Sequence, residues 1–277
     1  MANLQLHFNG NFPLKKEEIR RILQVANEEK GLKDNLENLM QKTGLGNAKV
    51  GKIKSWAGRA GLIKDYHLSE EGKIVLSLDS YLENPITDWL MHFYLSFGDK
   101  GLKQPPENLA EWGGWPYFVH VFLPQNPQFT IQQFVNNTDA IFEEKAEVIA
   151  DRLKYILRTY TEKTALMGCN FIQNFDKNTY QTGPVNLPNA YLLGYFLAKL
   201  WERDFQTSTS VLTETILQQK MGLSTILGIE TEALKEQLNT LEAYGIIEQR
   251  RTVPPYQIVR RWDDPLTLLE KAYANHQ

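Results

Sequence analysis

Apolar residues recur at intervals of three and four along the first part of the chain, which is the spacing that buries one face of a helix. The pattern predicts three helices, which cover residues 14–30, 32–42 and 48–60. Pro13 suits the first turn of the first helix, and Asn47 is placed to cap the third. An extended piece follows at residues 62–68, and Ser69 marks the start of a fourth helix. This order is that of a winged helix, whose third helix can enter the DNA major groove.

The middle of the chain is richer in apolar and aromatic residues. Residues 85–95 are too uniformly apolar for a surface helix, so they predict a helix buried on every side. Further helices are predicted over residues 112–122, 131–142 and 143–163. The aromatic side chains of the first two helices could stack on bases, but burial in the core is the commoner role and is the one we expect. They are Trp89, Phe93, Trp112, Trp115, Tyr117, Phe118 and Phe122.

The last part of the chain repeats the order of the first. Apolar helices are predicted over residues 191–201, 211–219 and 232–244. Gly245 and two extended pieces follow, with Pro254-Pro255 as the turn between them, and residues 265–274 form a final helix. Turn-forming residues at 179–188 separate this part from the middle. The repeated order predicts a second winged helix.

The length of 277 residues favours two or three units, since domains run to about 100–200 residues. We predict a mainly α fold in which winged-helix-like modules at the N-terminus and the C-terminus flank an aromatic-rich helical middle domain. The predicted units are residues 1–80, 81–188 and 189–277. No run of about 18 apolar residues is present, and the start does not resemble a secretory signal. We therefore expect a soluble, cytoplasmic protein without membrane contact.

Charge is unevenly distributed along the sequence. The net charge of −3 argues against nonspecific polyanion binding by the whole surface. Residues 44–64 nevertheless hold five basic residues and no acidic one, whereas residues 65–150 hold 13 acidic and four basic residues. Lysine and arginine neutralise phosphates, and asparagine can reach a phosphate or an adenine edge, although a merely solvated helix face is the alternative. The candidate nucleic-acid-binding residues are Asn47, Lys49, Lys52, Lys54, Arg59 and Lys64.

A second basic cluster lies on the two predicted strands near the C-terminus. It consists of Arg250, Arg251, Arg260 and Arg261. Paired strands would gather these guanidinium groups at one end of a hairpin, and arginine suits bidentate phosphate binding. These residues complete the set of nucleic-acid-binding candidates. The alternative, weighed equally, is an exposed network of ion pairs of little net value, in which the arginines meet Glu248, Asp263 and Asp264.

Motifs for catalysis and for metal or cofactor binding are missing from the sequence. There is no nucleophile elbow, no phosphate-binding glycine loop and no histidine pair at metal-ligand spacing. His92 and His120 lie on the two aromatic helices and could meet, but core histidines are far more common than zinc ligands. Cys169, the one cysteine, lies between apolar residues and suits a buried thiol rather than a reactive one. We expect no enzyme activity, no metal and no cofactor.

Three segments resemble the motifs of a known bacterial family. Asn9–Leu14 resembles its N-terminal motif, Tyr81–Leu95 its signature segment, and Leu157–Tyr160 followed by Cys169 its middle motif. The family is a domain of unknown function that is often encoded beside DNA phosphorothioation genes and a phosphoadenosine-phosphosulfate-reductase-like protein. The resemblance spans nearly the whole chain. It implies a DNA-linked, defence-related setting but no particular reaction.

These features predict a DNA-associated binding protein of a DNA phosphorothioation or defence system, with double-stranded DNA as its partner. A second hypothesis is an adaptor that uses its winged helices to dock a sulfur-transfer or nuclease partner protein. A third is a dimeric transcriptional regulator, which would need a palindromic site. The first hypothesis requires that the lysines and arginines face outward. If internal carboxylates neutralise them, only the assembly role remains.

Overall fold

Residues 1–275 are described by a computed structural model, and helices make up most of its regular structure. Residues 276 and 277, at the end of the predicted C-terminal module, lie outside the described residues. Three small antiparallel sheets, of two, three and three strands, complete the described part of the chain. No helix within residues 1–275 is long and apolar enough to cross a membrane.

Three helices and a hairpin form the first part, and a fourth helix follows. Their bounds are α1 (Lys16–Ala26), α2 (Leu36–Thr43), α3 (Asn47–Arg59), β1 (Ile63–Lys64), β2 (His67–Leu68) and α4 (Glu70–Leu78). Gly44 ends α2 in the left-handed conformation, which glycine adopts without steric cost. Ser69 caps α4 by accepting a hydrogen bond from the amide of Gly72, so the predicted helix start at Ser69 is confirmed.

The predicted starts of the first three helices are wrong. The first helix begins at Lys16 rather than just after Pro13, because the backbone of Lys15 is still extended. The second helix begins at Leu36 rather than at residue 32, because residues 31–33 form a separate 3-10 turn and Asn35 is the cap. The third helix begins at Asn47, and Gly46 holds the extended cap position before it. A capping side chain must come from the residue with the extended backbone. Asn47 is therefore the first helical residue and does not serve as the cap.

The middle part contains helices and a sheet. Their bounds are α5 (Pro85–Leu95), α6 (Gly114–Tyr117), α7 (Leu123–Gln125), β3 (Gln128–Thr130), α8 (Ile131–Thr138), α9 (Ala146–Thr161), β4 (Ile172–Asn174) and β5 (Thr179–Thr182). The helix α5 has the predicted bounds, and Asn84 caps it by accepting from the amide of Ile86. A π-helical stretch, Phe118–Phe122, joins α6 to α7.

The middle part is mainly helical, but it also contains a sheet that the sequence pattern does not predict. The strands β3, β5 and β4 form an antiparallel sheet in that order, with Phe129 opposite Tyr180. Each strand has only three or four residues, and the central one is half-buried along its whole length. Such short strands leave no alternation of apolar and polar residues for a sequence pattern to detect. The turn-rich segment 179–188 thus begins with the central strand of this sheet.

The last part contains a second three-stranded sheet. The bounds of its elements are α10 (Ala190–Asp204), β6 (Ser210–Leu212), α11 (Thr213–Leu217), α12 (Leu223–Leu227), α13 (Thr231–Ala243), β7 (Ile247–Arg250), β8 (Gln257–Arg260) and α14 (Pro265–Ala274). The predicted hairpin and final helix are both present. The helix predicted over residues 211–219 is wrong in its first two residues, because Ser210–Leu212 pairs with β8 and completes the sheet order β6–β8–β7.

One continuous apolar core runs through all three parts. Of the seven aromatic residues expected there, Tyr117 is half-buried and the others are buried, which confirms their core role. Cys169 is fully buried, as the sequence predicts. The start of the chain also reaches the middle part, where the amide of Leu4 donates to the carboxylate of Glu144 at 3.0 Å. The predicted units therefore share their interior.

Two buried histidines attach the middle part to α12. Nε2 of His92 lies 2.8 Å from the carbonyl oxygen of Ile226, and Nδ1 lies 2.7 Å from the hydroxyl of Tyr160. Nδ1 of His120 lies 2.6 Å from the hydroxyl of Thr225, and Nε2 faces a backbone carbonyl at 3.1 Å. A carbonyl oxygen only accepts, so Nε2 carries the proton in both rings. The two rings are neutral and bind neighbouring residues of the same short helix.

Acid should destabilise the protein through these histidines. Burial lowers the pKa of His92 to about 4 and that of His120 to about 3, below the ordinary 6.5. As pH falls through 6.5, the unfolded chain binds protons first, so the folded state loses stability. Burial raises the pKa of Asp88 to about 6 against the pull of Lys16, which offsets part of this loss. We expect the free energy of unfolding, measured with urea, to fall by about 2–3 kcal/mol from pH 7 to pH 5.

The variant His120→Gln isolates one histidine. The variant will have a lower free energy of unfolding at pH 7. The loss of this free energy between pH 7 and pH 5 should be smaller by about 2 kcal/mol, since one group no longer titrates. The comparison needs only two urea curves per protein. If the free energy of unfolding changes by the same amount between pH 7 and pH 5 in both proteins, His120 does not resist protonation in the folded state.

Candidate nucleic-acid interface

The helix α3 presents a face of small residues to solvent. Its inner side packs into the core through Val50, Ile53, Trp56 and Ala57. Its outer side carries Asn47, Ala48, Gly51, Ser55 and Gly58, all exposed or half-buried. No long side chain stands along the centre line of this outer side, within the described structure. A rigid partner could therefore come close to the helix backbone there.

No neighbouring atom of the described residues requires a glycine at position 51. A Cβ atom built on it would meet nothing within 4 Å among the described residues. Gly72 in α4 is the opposite case, because a Cβ atom there would lie 1.9 Å from the carbonyl oxygen of Leu62. Glycine inside a helix costs about 1 kcal/mol relative to alanine. The helix bears this cost at Gly51, and the missing side chain leaves open space on its outer side.

A groove lies beside this face, between α3 and the turn at residues 98–101, and we call it the α3 groove. Its volume is 510 Å³. Gly51, Ser55 and Gly58 form its wall on the side of α3. The charged residues that line it are Lys54, Arg59, Lys100, Asp65 and Asp99. The groove is thus open, and its wall along α3 includes residues with little or no side chain. Its charged lining residues include one more cation than anion.

Two of the candidate cations are bound internally. Nζ of Lys49 lies 2.7 Å from the carboxylate of Glu18. Arg59 pairs with Asp99, and its guanidinium lies 3.9 Å from the centre of the Phe8 ring. Burial lowers the pKa of Arg59, and the charge of Asp99 opposes that shift. Both cations are balanced inside the protein, which weakens the expectation that they bind phosphate.

Other candidate lysines remain available to solvent. Lys64 is exposed and Lys52 is half-buried, and neither has a carboxylate within 4.0 Å in residues 1–275. Nζ of Lys54 lies 4.1 Å from the centre of the Tyr66 ring, and burial lowers its pKa. Lys33 faces the same ring at 5.6 Å. Lys100 lies across the groove from α3. We call Lys52, Lys54, Lys64 and Lys100 the outer lysines.

Three of the four arginines of the C-terminal hairpin form ion pairs within the chain. The ion pairs are Arg250–Glu248, Arg261–Glu248 and Arg251–Glu242. Arg260 has no carboxylate within 4.0 Å in the described part of the chain. Asp264, which the sequence offered as a partner, instead caps α14 by accepting from the amide of Leu266. Two glutamates therefore face four arginines, and Glu248 is shared by Arg250 and Arg261, so the hairpin keeps an excess of positive charge.

Sequence reasoning missed Lys33, Tyr66 and Lys100. Tyr66 lies at the tip of the β1–β2 hairpin, where its ring lies between two lysines. Lys100 belongs to the turn after α5, which only the fold brings opposite α3. No periodic pattern links such distant segments, so no signal in the sequence alone could have found them.

The described residues contain no cluster of metal-ligating side chains. Within residues 1–275, no three histidine, cysteine, aspartate or glutamate side chains converge in a way that could hold a metal ion. His92 and His120 use their ring nitrogens for hydrogen bonds in the core. The residues of the described chain thus do not fit a metal centre built from such ligands.

Residues 10–273 match the model of a family described as protein of unknown function (DUF4007). No curated protein matches the sequence. The fold is similar to that of a crystal structure of magnesium ion-bound SspB, with a TM-score of 0.75, and to a second SspB crystal structure, with a TM-score of 0.74. Each is 14% identical, and each match covers 99% of this chain and 89% of SspB. At this identity the likeness shows the fold alone.

The open space at Gly51 gives a stability prediction. Gly51→Ala should raise the free energy of unfolding by about 0.5–1 kcal/mol, because alanine favours the helix and meets no neighbour. Gly72→Ala is the matched control, and overpacking against Leu62 should lower stability by about 1–3 kcal/mol. Urea denaturation at neutral pH measures both. A loss of stability in Gly51→Ala would mean that the outer side of α3 is not free.

Proposed function

We propose that this chain, which belongs to the DUF4007 family of proteins of unknown function, is a DNA-associated binding protein of a DNA phosphorothioation or defence system and has no catalytic activity of its own. The segments at both ends, 1–80 and 189–277, would act as winged-helix modules. The element order α1, α2, α3, β1, β2 supports this assignment for the first, and the order of α13, β7 and β8 supports it for the second. The link to phosphorothioation rests on the resemblance of the sequence motifs.

The observation that carries the proposal is the α3 groove with its outer lysines. Lys54 and Lys100 line the groove, Lys64 follows Ile63 of its lining, and Lys52 lies on α3 itself. None of these four lysines has a carboxylate partner in the described residues, and the α3 wall of the groove carries the small residues Gly51, Ser55 and Gly58. A phosphate backbone needs both features, since the cations release its counterions and the small residues allow it to approach. The centre of the face lacks long polar side chains that could read base edges. The arrangement therefore favours contacts to phosphates over sequence-specific contacts to bases.

The rest of the surface opposes strong binding. The net charge is −3, and three of the four hairpin arginines are paired with glutamates. Binding to duplex DNA should therefore be local and sensitive to salt. Because each neutralised phosphate contributes about −0.9 to the slope of log affinity against log salt, the outer lysines should give a slope of about −3 to −4.

A salt titration tests the proposal. Binding of a fluorescein-labelled duplex is followed by anisotropy at several salt concentrations, with the slope above as the expected result. The double variant Lys54→Glu, Lys100→Glu should bind about tenfold or more weakly, because it reverses charge on both walls of the groove.

A matched control separates a local site from a general charge effect. Lys163, just after α9, and Lys177, between β4 and β5, are exposed and do not line the α3 groove, so Lys163→Glu, Lys177→Glu makes the same change in net charge. This control should bind like the unchanged protein. Equal weakening by both double variants, or no binding at low salt, would rule out the α3 groove as a DNA site.

A second candidate function is a protein adaptor that docks a partner enzyme. Half of the predicted phosphate-binding set is engaged with carboxylates of the same chain: Lys49, Arg59, Arg250, Arg251 and Arg261. Such pairing suits a surface that serves protein contacts more than one that binds a polyanion.

Co-purification tests the adaptor role. Tagged protein is mixed with the sulfur-transfer and nuclease proteins of the same system after nuclease treatment has removed DNA. A stable complex that survives this treatment, and also survives Lys54→Glu, Lys100→Glu, is the expected result for an adaptor. Complexes that form only when DNA is present would instead favour the DNA-binding proposal.

A further inference from the structure

We propose that a groove between α4 and α14 binds a basic amphipathic helix of a partner protein. We call it the α4–α14 groove, and its volume is 710 Å³. Its walls come from the two helices and from Asp264, just before α14. The proposal concerns a different surface from the α3 groove and does not depend on DNA binding.

The groove has rigid walls. Thr87 of α5 lies between the two helices, since its hydroxyl is 2.5 Å from the carboxylate of Asp79, just after α4, and 2.8 Å from the hydroxyl of Tyr273 in α14. Asn189 also donates to the carbonyl oxygen of Ala272 at 2.9 Å. The ends of both helices are thus fixed to the core, and the groove between them is formed before any partner arrives.

Part of the lining of the groove is apolar. Ile74 and Leu78 of α4 and Leu266 and Ala274 of α14 supply this part, and Ser77 and Thr267 add hydroxyl groups. Leu78 is 51% exposed although it is a large apolar residue on a helix that packs against its neighbour. Burying such a side chain in an interface stabilises the complex, since apolar area removed from water contributes about 25 cal/mol per Å².

The rim of the groove is acidic. Its charged lining residues are Glu70, Lys73, Asp264 and Glu270, which leaves two more anions than cations. Lys73 pairs with Glu70 at 2.7 Å. Neither Asp264 nor Glu270 has a cation within 4.0 Å in residues 1–275, and Asp264 uses one oxygen to cap α14. The unbalanced charge lies on the side of α14.

The charge and the length of the groove determine which kind of partner fits it. Nucleic acid and anionic lipid are repelled by the rim, and an acidic protein segment is repelled for the same reason. The walls, α4 with nine residues and α14 with ten, run for two to three turns. A helix with apolar residues on one face matches that length, and lysines or arginines beside its apolar face would meet Glu270 and Asp264. The groove therefore fits a short, positively charged amphipathic helix.

A peptide titration tests the proposal. The probe is a labelled peptide of about 18 leucine, lysine and alanine residues with all leucines on one helical face. Two counterparts carry glutamate in place of lysine or serine in place of leucine. We expect saturable binding of the first peptide and about tenfold or weaker binding of both counterparts. Failure of the basic peptide to bind at up to about 1 mM, or equal binding of the acidic one, overturns the proposal.

Surface variants locate the site. Glu270→Lys and Leu78→Ser should each weaken binding about tenfold, because one removes the charge attraction and the other an apolar contact. The controls are Glu236→Lys, on the exposed side of α13, and Leu36→Ser, an exposed leucine of α2. They should bind like the unchanged protein. Equal effects in variants and controls would overturn the site, whatever the outcome of the DNA titration. Leu78→Ser should leave DNA binding unchanged.

Discussion

The fold depends on the buried polar side chains of α5, which bind the segments on either side of it in the sequence. Asp88 accepts from Lys16 of α1 at 2.7 Å, and His92 donates to the backbone of α12. Tyr94 meets a hydroxyl of α10 and the carboxylate of Glu71 in α4, while Thr87 lies between the ends of α4 and α14. A buried polar group left without its partner costs about 1–3 kcal/mol. Displacing either end of the chain would therefore break several contacts together.

This constraint also shapes both grooves. The turn at residues 98–101, which faces α3, directly follows α5, so the width of the α3 groove is set by how α3 packs on the middle part. The α4–α14 groove is fixed by Thr87, a residue of the same helix. Neither groove is built from flexible loops alone. A partner that binds either one meets a surface whose shape exists in advance, which lowers the entropy lost on binding.

Local sequence signals predicted the helices that start with clear caps, and they missed features that arise only from long-range packing. The helices α5 and α14 begin at prolines that follow a capping side chain, and their bounds were predictable. The sheet of β3, β4 and β5 was not, because its strands are too short to show a period. Among candidate site residues, Lys49 and Arg59 looked free in a stretch without acids. Their carboxylate partners, Glu18 and Asp99, come from elements outside that stretch.

The two grooves give the molecule opposite charges in two places on one rigid frame. The outer lysines border α3, and the unpaired carboxylates border α14. The helix α4 begins directly after the β1–β2 hairpin that carries Lys64, and it forms one wall of the acidic groove. A basic partner segment in the acidic groove would remove its negative charge and so weaken the repulsion between the protein and a nearby phosphate backbone.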